Sequence, residues 1–219
     1  VTTGTEDAPS AAAAVGVLAD KDAMPAPRDR AKAQLRAALT KEPEPTTAAL
    51  VQLLAMEKAP ADARIYAIEL LRELDQLPKV QGLDTATRAA LASKWPQLKV
   101  AALPLYAKVD PTRAGGEVLA GMLDDKSIDK PTKIAAALAW GEVARTGGKG
   151  NSGAAQNALD RMLKDEDQDV RAAAAEAAGN IGAKYMEQLR KMAKLENYVV
   201  RVGAAKGLAN ATLVNGSPG

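Results

Sequence analysis

The side chains available for chemistry are few in type. The 219-residue chain contains no histidine and no cysteine. Histidine is the commonest general base and metal ligand, and cysteine supplies thiolate nucleophiles and disulfides. An enzyme built from this chain would have to work with Asp, Glu, Lys, Ser or Tyr alone, and the sequence shows no catalytic signature among them. We therefore predict no enzyme activity, no cofactor and no metal site.

One acidic segment, Asp165-Glu166-Asp167-Gln168-Asp169, has carboxylates at the alternating spacing of a calcium-binding loop. Such a loop requires a glycine at its sixth position, where this chain has Val170. The glutamate that could close the loop, Glu176, lies inside a predicted helix. Carboxylates also cap helix N-termini and interact favourably with the positive end of the helix dipole. We therefore interpret the segment as the start of a helix.

The glycine-rich run 147–153 contains a lysine and a serine, as phosphate-binding loops do. It lacks the order Gly-x4-Gly-Lys-Ser/Thr of the P-loop, and it follows a predicted helix instead of a strand. We interpret the run as a plain loop between two helices.

The elements that carry these residues repeat along the chain. Residues 170–180 realign with residues 200–210 after a shift of thirty, so that Val170-Arg171 falls on Val200-Arg201. A fixed period of this size is typical of a solenoid. Apolar residues recur at spacings of three and four in each unit, which predicts one apolar helix face. A single helix pair cannot bury that face alone, so the pairs must stack.

The repeating unit resembles a HEAT repeat, especially the short HEAT-like type first noted in phycobilisome lyases. The resemblance rests on Asp169-Val170-Arg171 at the turn, Ala174-Ala175 in mid-helix and Gly179-Asn180-Ile181-Gly182 at the helix end. It extends over about residues 43 to 212. It implies an all-α fold, a right-handed α-solenoid of about five HEAT-like helix pairs. Three earlier second helices follow the pattern more loosely, in stretches that start at Ala63, Leu98 and Thr132.

Basic side chains occupy one position in successive units, and we define them as the basic row. One interpretation is a track for an anion or an acidic partner. The other is structural, because in HEAT-like repeats the turn aspartate pairs with this base and ties units together. Asp62 and Asp169 each precede a member of the row by two residues. The basic row consists of Arg64, Lys99, Lys133, Arg171 and Arg201.

Composition and the positions of proline and glycine divide the chain into a low-complexity leader or linker at 1–27, the solenoid at 28–212 and a frayed tail at 213–219. Part of the leader, residues 11–18, is able to form a short helix if something packs against it. The core is rich in alanine and poor in aromatic residues, with 48 alanines and no phenylalanine. Further predictions concern single residues: Thr46 or Thr47 as a helix cap, Asp84 as another cap, Pro104 inside a helix, and Tyr106 and Trp140 in the core.

The second helices are predicted to present a stripe of residues to a protein partner, on the side opposite their apolar face. We define this set as the outward stripe. Acidic, apolar and basic groups alternate along it, which suits a mixed protein surface. Its apolar middle, at Pro104 and Leu138, is the natural place for a binding hot spot. The outward stripe consists of Tyr66, Glu69, Glu73, Pro104, Lys108, Leu138, Glu142, Glu176 and Lys206.

The function predicted from these features is that of a non-catalytic scaffold or adaptor binding one or more proteins. A net charge of +2 argues against nucleic acid, which requires a basic stripe. Other hypotheses are a structural subunit of a large bacterial envelope assembly, a chromophore lyase and a HEAT-like DNA-repair enzyme. No apolar run reaches the ~18 residues of a membrane span.

The leader and the lack of cysteine fit an exported bacterial protein, located in the periplasm or at the outer membrane. This hypothesis includes a lipid anchor upstream of Val1. The alternative location is the cytoplasm.

Overall fold

The computed structural model describes residues 10–74, 76–122, 125, 127–146 and 148–216. These residues are predominantly helical and include no strand, which confirms the predicted all-α class. A π-helical segment, Ala114–Leu119, joins α7 to α8, and two short 3-10 turns lie between α11 and α12. The helices are α1 (Ala11–Ala19), α2 (Pro25–Lys41), α3 (Pro43–Ala55), α4 (Ala61–Glu73), α5 (Leu83–Leu91), α6 (Pro96–Val109), α7 (Pro111–Arg113), α8 (Ala120–Met122), α9 (Lys130–Thr146), α10 (Gly148–Met162), α11 (Gln168–Ala178), α12 (Met186–Met192) and α13 (Tyr198–Gly216).

The chain divides into two compact units, Val1–Ala102 and Leu103–Gly219. We predict one solenoid over residues 28–212, without this division. The right-handed sense and the number of helix pairs stay predictions.

The first unit begins with a helix inside the predicted leader. The hydroxyl of Ser10 caps α1 by accepting a hydrogen bond from the backbone N–H of Ala13 at 3.3 Å. Ala14, Val15 and Leu18 are buried where α1 packs on α2 and α3. The packing partner that this segment needed is therefore present, and the helical part of the chain begins well before residue 28.

α3 begins earlier than its predicted cap. Pro43 occupies the first position of the helix, where a missing N–H removes no hydrogen bond. Thr46 and Thr47 lie inside α3 and are fully buried, and in the described structure their hydroxyls have no hydrogen-bond partner. The prediction that one of them caps the helix is wrong, because the proline that follows α2 already starts α3.

The cap predicted for α5 is also wrong by two residues. Gly82 precedes the helix with φ of 84°, a left-handed conformation that glycine adopts without steric cost. Asp84 lies in the first turn instead and forms an ion pair with Arg88, one turn further along. The left-handed conformation of Gly82, and not a side-chain cap, therefore marks the start of α5.

Two predictions about core residues and one about a proline inside a helix are confirmed. Pro104 lies inside α6, which continues to Val109. Tyr106 and Trp140 are both buried. Bulky side chains are rare in this chain, so these two rings fill space that alanine would leave empty.

The second unit contains the stack predicted from the thirty-residue period. α11 packs on both α9 and α13, so the three helices lie side by side. α10 packs on α9 and α11, and α12 packs on α13. Each first helix of a pair therefore lies against the layer formed by the second helices.

The predicted loop at 147–153 is wrong, apart from Gly147, which lies outside the described residues. α10 begins at Gly148. Glycine in a helix interior costs about 0.5–1 kcal/mol relative to alanine, so local propensity favours a loop here. Ala155, Ala158 and Leu159 are nevertheless buried further along α10. Packing against α9 therefore outweighs the local preference.

Candidate protein-interaction surface

Two successive second helices of the second unit begin with equivalent caps. The carboxylate of Asp167 accepts hydrogen bonds from the backbone N–H groups of Asp169 and Val170, at 2.8 and 3.3 Å. Thirty residues later, the side-chain oxygen of Asn197 accepts from the N–H of Val200 at 3.1 Å. The shared caps start α11 and α13 in the same register, so equivalent residues occupy equivalent positions.

The same helices approach each other so closely that their backbones are in contact. A Cβ atom at Gly203 of α13 would collide with the carbonyl oxygen of Ala172 in α11. A Cβ at Gly141 of α9 would lie 2.8 Å from the Cβ of Ala177 in α11. Only glycine fits at these contacts. A Cβ atom would come too close to atoms of the neighbouring helix, and the backbone of that helix cannot move locally. The close approach brings together the outward stripes of α9, α11 and α13.

The outward stripe of the second unit combines half-buried apolar and charged groups. Leu138 and Glu142 lie on α9, and Glu142 pairs with Arg145 at 2.7 Å. On the next two helices, Glu176 pairs with Lys206 across the joint at 3.1 Å. These side chains can offer charged and apolar contacts to another protein at the same time.

Small, nearly buried residues lie beside these groups on the same helices. Ala135 and Ala173 are only 4% and 8% exposed, although both lie on the predicted outward side. Asn210 donates a hydrogen bond to the carbonyl oxygen of Glu176 at 3.2 Å. The part of the stripe that remains accessible is therefore narrower than predicted, and it lies at Leu138, Glu142 and the Glu176–Lys206 pair.

The first-unit members of the outward stripe are largely engaged within the unit. The Tyr66 hydroxyl donates to the carbonyl oxygen of Lys32 at 2.7 Å, and burial raises the pKa of this phenol. Glu73 forms an ion pair with Arg36 at 2.5 Å. Both contacts join α4 to α2. Glu69 is exposed, so it is the member of the first-unit stripe that faces solvent.

The stripe residues on α6 differ from their prediction. Pro104 is buried, so it cannot touch a partner, and the prediction that it faces outward is wrong. Lys108 is half-buried. Every residue from 102 to 107 is buried, so this part of the helix has no side open to a partner, whereas Gln97 and Lys99 at its beginning are exposed. Helical periodicity alone does not reveal such enclosure.

Three members of the basic row, Arg64, Arg171 and Arg201, close turns within their own repeats. The Arg171 guanidinium donates to the carbonyl oxygens of Asp165 and Glu166 at 2.7 and 2.8 Å. Arg201 makes the equivalent bond to the carbonyl of Glu196 at 2.8 Å. The buried Arg64 donates to Leu54 O at 2.9 Å. These contacts favour the structural interpretation, although the acceptors are carbonyl oxygens and not the turn aspartates.

The acidic segment 165–169 joins neighbouring repeats instead. Lys130, at the start of α9, forms ion pairs with Asp167, at 3.1 Å, and with Asp169. Lys133 pairs with Asp165 at 3.5 Å. Burial works against the charge of Asp167, but Lys130 and two backbone N–H groups hold the pKa of this carboxyl below its ordinary value. The segment therefore caps one helix and binds the preceding one.

Further contacts between repeats, which the sequence analysis missed, join α10 to the chain just before α12. The buried Tyr185 hydroxyl donates to the Asp160 carboxylate at 2.7 Å. Lys184 donates to the side-chain oxygen of Gln156, also at 2.7 Å. No thirty-residue match marks these positions, so the repeat could not have revealed them.

Comparison with known families agrees with this geometry. Residues 155–217 match the family model for HEAT repeats. The match begins within α10 and extends over the last two helix pairs, which are therefore similar to HEAT repeats. The resemblance drawn from Asp169-Val170-Arg171 and its thirty-residue copy is thereby confirmed for this part of the chain. HEAT repeats generally mediate protein–protein interaction and are usually non-catalytic. No curated protein sequence matches the chain.

Among the described residues, no helix combines the length and apolar character needed to cross a membrane. In the same part of the chain, no group of three or more His, Cys, Asp or Glu side chains is arranged to hold a metal ion.

Proposed function

We propose that this chain is a non-catalytic scaffold or adaptor that binds a protein partner on the outward stripe of its HEAT repeats. The observation that carries the proposal is that α9, which holds Leu138 and Glu142, is in backbone contact with α11, and that the Glu176–Lys206 pair joins α11 to α13. A rigid layer of this kind presents its side chains without reorganisation. Preorganisation lowers the entropic cost of association.

Mixed charge on this surface favours a protein over a nucleic acid. Glu142 and Glu176 each pair with a cation, so this surface lacks the excess of basic groups that binding a phosphate backbone requires. The DNA-repair hypothesis is therefore the weaker alternative. A chromophore-lyase role would require tight binding of a tetrapyrrole, which absorbance titration can measure directly.

Site-specific crosslinking in native cells tests the proposal. A photo-reactive residue is placed in turn at Leu138 and Glu142, and at Ala89, an exposed position on α5, as the control. We expect one protein to crosslink from both stripe positions and not from the control. Crosslinks to that protein from Ala89 alone, or from neither stripe position, would contradict the proposal.

Substitution of the same surface gives the quantitative test. Leu138→Arg places a long cation at the apolar centre of the stripe and is expected to weaken partner binding by about tenfold or more, as for an interface hot spot. Ala89→Arg adds the same group at an exposed helical site and should leave binding unchanged. Circular dichroism melts confirm that both variants are folded. If folded Leu138→Arg binds like the parent, the stripe is not the binding surface.

The proposal extends to assembly and compartment. We propose that the partner belongs to a bacterial envelope assembly outside the cytoplasm, because the Thr/Gly/Ala/Pro composition of residues 1–9 and the lack of cysteine fit an exported protein. Subcellular fractionation tests this part independently. Recovery of the native protein from the cytosol alone would refute it and leave the binding surface untouched.

A further inference from the structure

Arg64, in the first turns of α4, is a buried cation without a counter-ion. The residue is 4% exposed, and its Nε donates to the carbonyl oxygen of Leu54 at 2.9 Å. The two amino groups of a guanidinium carry four further N–H donors. Among the described residues, none accepts a hydrogen bond from these amino groups and none forms an ion pair with Arg64. Burying an unpaired charge is costly, so the amino groups require an acceptor.

The equivalent arginines of the second unit do not share this feature. An amino group of Arg171 donates to two carbonyl oxygens of the preceding turn, at 2.7 and 2.8 Å. An amino group of Arg201 does the same in the next repeat, at 3.2 and 2.8 Å. Both residues are also only half-buried. Arg64 is therefore the most buried member of the basic row and the arginine whose amino groups lack acceptors.

The nearest carboxylates do not neutralise Arg64. Asp62, two residues earlier, pairs with Arg28 at 2.7 Å. Glu57 is exposed in the turn before α4 and forms no ion pair with Arg64. Burial lowers the pKa of the Arg64 guanidinium below its ordinary value, and the charge of Glu57 only opposes this effect. The buried charge is thus left without close compensation from its own unit.

The start of α4 adds further donors. Pro60 occupies the cap position, and no side chain caps the helix. The equivalent positions of α9 and α11 hold Asp129 and Asp167, whose carboxylates accept from N–H groups of the first turn. In α4, the N–H groups of Ala61 and Asp62 have no acceptor among the described residues. The positive end of the helix also favours an anion.

We propose that the start of α4 binds a carboxylate, which the amino groups of Arg64 hold. Both amino groups retain contact with solvent, so a ligand can reach them. The planar fork of a guanidinium matches a carboxylate. A phosphate monoester carries about −1.5 to −2 charges and would meet Glu57 and Asp62, so the singly charged carboxylate fits better.

This carboxylate belongs either to a free small molecule or to an acidic side chain of a protein, and the experiment distinguishes these sources. The inference goes beyond the proposed function, because the site lies in the first unit and does not use the accessible part of the outward stripe. Each proposal can fail without the other.

NMR titration of the full chain with sodium acetate tests the site. The signals to follow are the Nε–H of Arg64 and the backbone N–H of Ala61. We expect acetate to shift both signals in a saturable manner, with sodium chloride at the same concentration leaving them in place and sodium phosphate binding no more tightly than acetate. The Nε–H of Arg171 is the internal control, because its amino group already has two acceptors.

Two end-blocked tripeptides identify the source of the carboxylate. One has a central glutamate, and the other has glutamine in its place. Saturation by the glutamate peptide at a lower concentration than acetate would assign the site to an acidic side chain of a protein. Saturation by acetate alone would assign it to a small carboxylate. Equal binding of the glutamine peptide would refute the site.

Variants localise the binding. Arg64→Lys loses the fork and at least one hydrogen bond to a charged group, so acetate should bind about tenfold more weakly or worse. Glu57→Gln removes the neighbouring negative charge and should strengthen binding. Glu44→Gln makes the same change at the other end of α3 and should have no effect. Melting curves verify that each variant is folded.

The inference is overturned if acetate produces no saturable shift, if Arg171 responds as Arg64 does, or if phosphate binds more tightly than acetate. Weaker acetate binding by folded Glu57→Gln would also overturn it, and this arm stands even if Arg64→Lys does not fold. Leu138→Arg should leave the acetate response unchanged. If Leu138→Arg binds the protein partner like the parent, the proposed function fails and the carboxylate site is unaffected.

Discussion

Adjacent helices are joined by side chains in both units, and in the second unit the helix backbones are in contact as well. Between α2 and α4, Arg28 pairs with Asp62 at 2.7 Å, and the Tyr66 hydroxyl donates to the carbonyl of Lys32 at 2.7 Å. Between α11 and α13, glycines such as Gly203 lie directly on the carbonyls of the neighbouring helix.

The difference explains why the repeat is plain in one half of the chain and faint in the other. A joint made by long side chains tolerates many residue pairs, since charge and length can be supplied in several ways. A joint with backbone contact requires glycine at the contact, at fixed positions. Such a joint leaves a recognisable sequence pattern, and the match to HEAT repeats covers 155–217.

The largest effect is expected from placing a methyl group in the backbone joint. Gly203→Ala forces its Cβ against the carbonyl of Ala172, and a helix backbone cannot yield locally. Overpacking of this kind typically costs about 1–3 kcal/mol, and we expect the upper end. Urea unfolding measures the loss of stability.

Gly153→Ala is the matched control, because a Cβ there meets nothing within 4 Å. Alanine is preferred over glycine in a helix by about 1 kcal/mol, so this variant should be slightly stabilised. If Gly203→Ala were as stable as the control, the helices would not be in backbone contact.

A smaller effect is expected from the hydrogen bond between repeats at Tyr185. Tyr185→Phe removes the donor to Asp160 and should cost about 1.5 kcal/mol, as for a hydrogen bond to a charged group. Burial and the nearby Asp160 carboxylate raise the pKa of the phenol above its ordinary value of 10.0. The unfolded tyrosine therefore loses its proton first, and this stabilisation declines as the pH rises above about 10.

Denaturant unfolding of parent and variant at neutral and alkaline pH checks both parts of this prediction. The difference in stability should be full at neutral pH and should shrink in the alkaline range. A difference that grows with pH would mean that folding favours the deprotonated form of Tyr185.

The smallest effect is expected in the first unit. Asp62 is 62% exposed in its side chain, and solvent screens its pairing with Arg28. A double-mutant cycle with Arg28→Met and Asp62→Asn should give a coupling of about 0.2–1 kcal/mol that declines with salt. A coupling comparable to the cost of Gly203→Ala would remove the distinction between the two kinds of joint.

Much of the second unit could be predicted from the residues alone. The acidic segment 165–169, identified as a helix start, caps α11 through Asp167, and the core position of Trp140 follows from the repeat alignment. The site was predicted less well. Leu138 and Glu176 are on the layer where they were expected, whereas Pro104 is enclosed and Tyr66 is bonded to α2. Periodicity gives the side of a helix that faces its own partner helix, but not what covers the other sides.

By itself, the sequence determined the features that depend on neighbours along the chain: the thirty-residue period, the caps at Asp167 and Asn197, and the absence of histidine and cysteine chemistry. Only the tertiary structure decided that 148–162 is a helix, that Thr46 is buried and that the far side of α13 is exposed. Caps and turns are interactions between residues a few positions apart. Burial depends on which helices meet and where a stack ends, and these contacts join residues about thirty positions apart in the second unit.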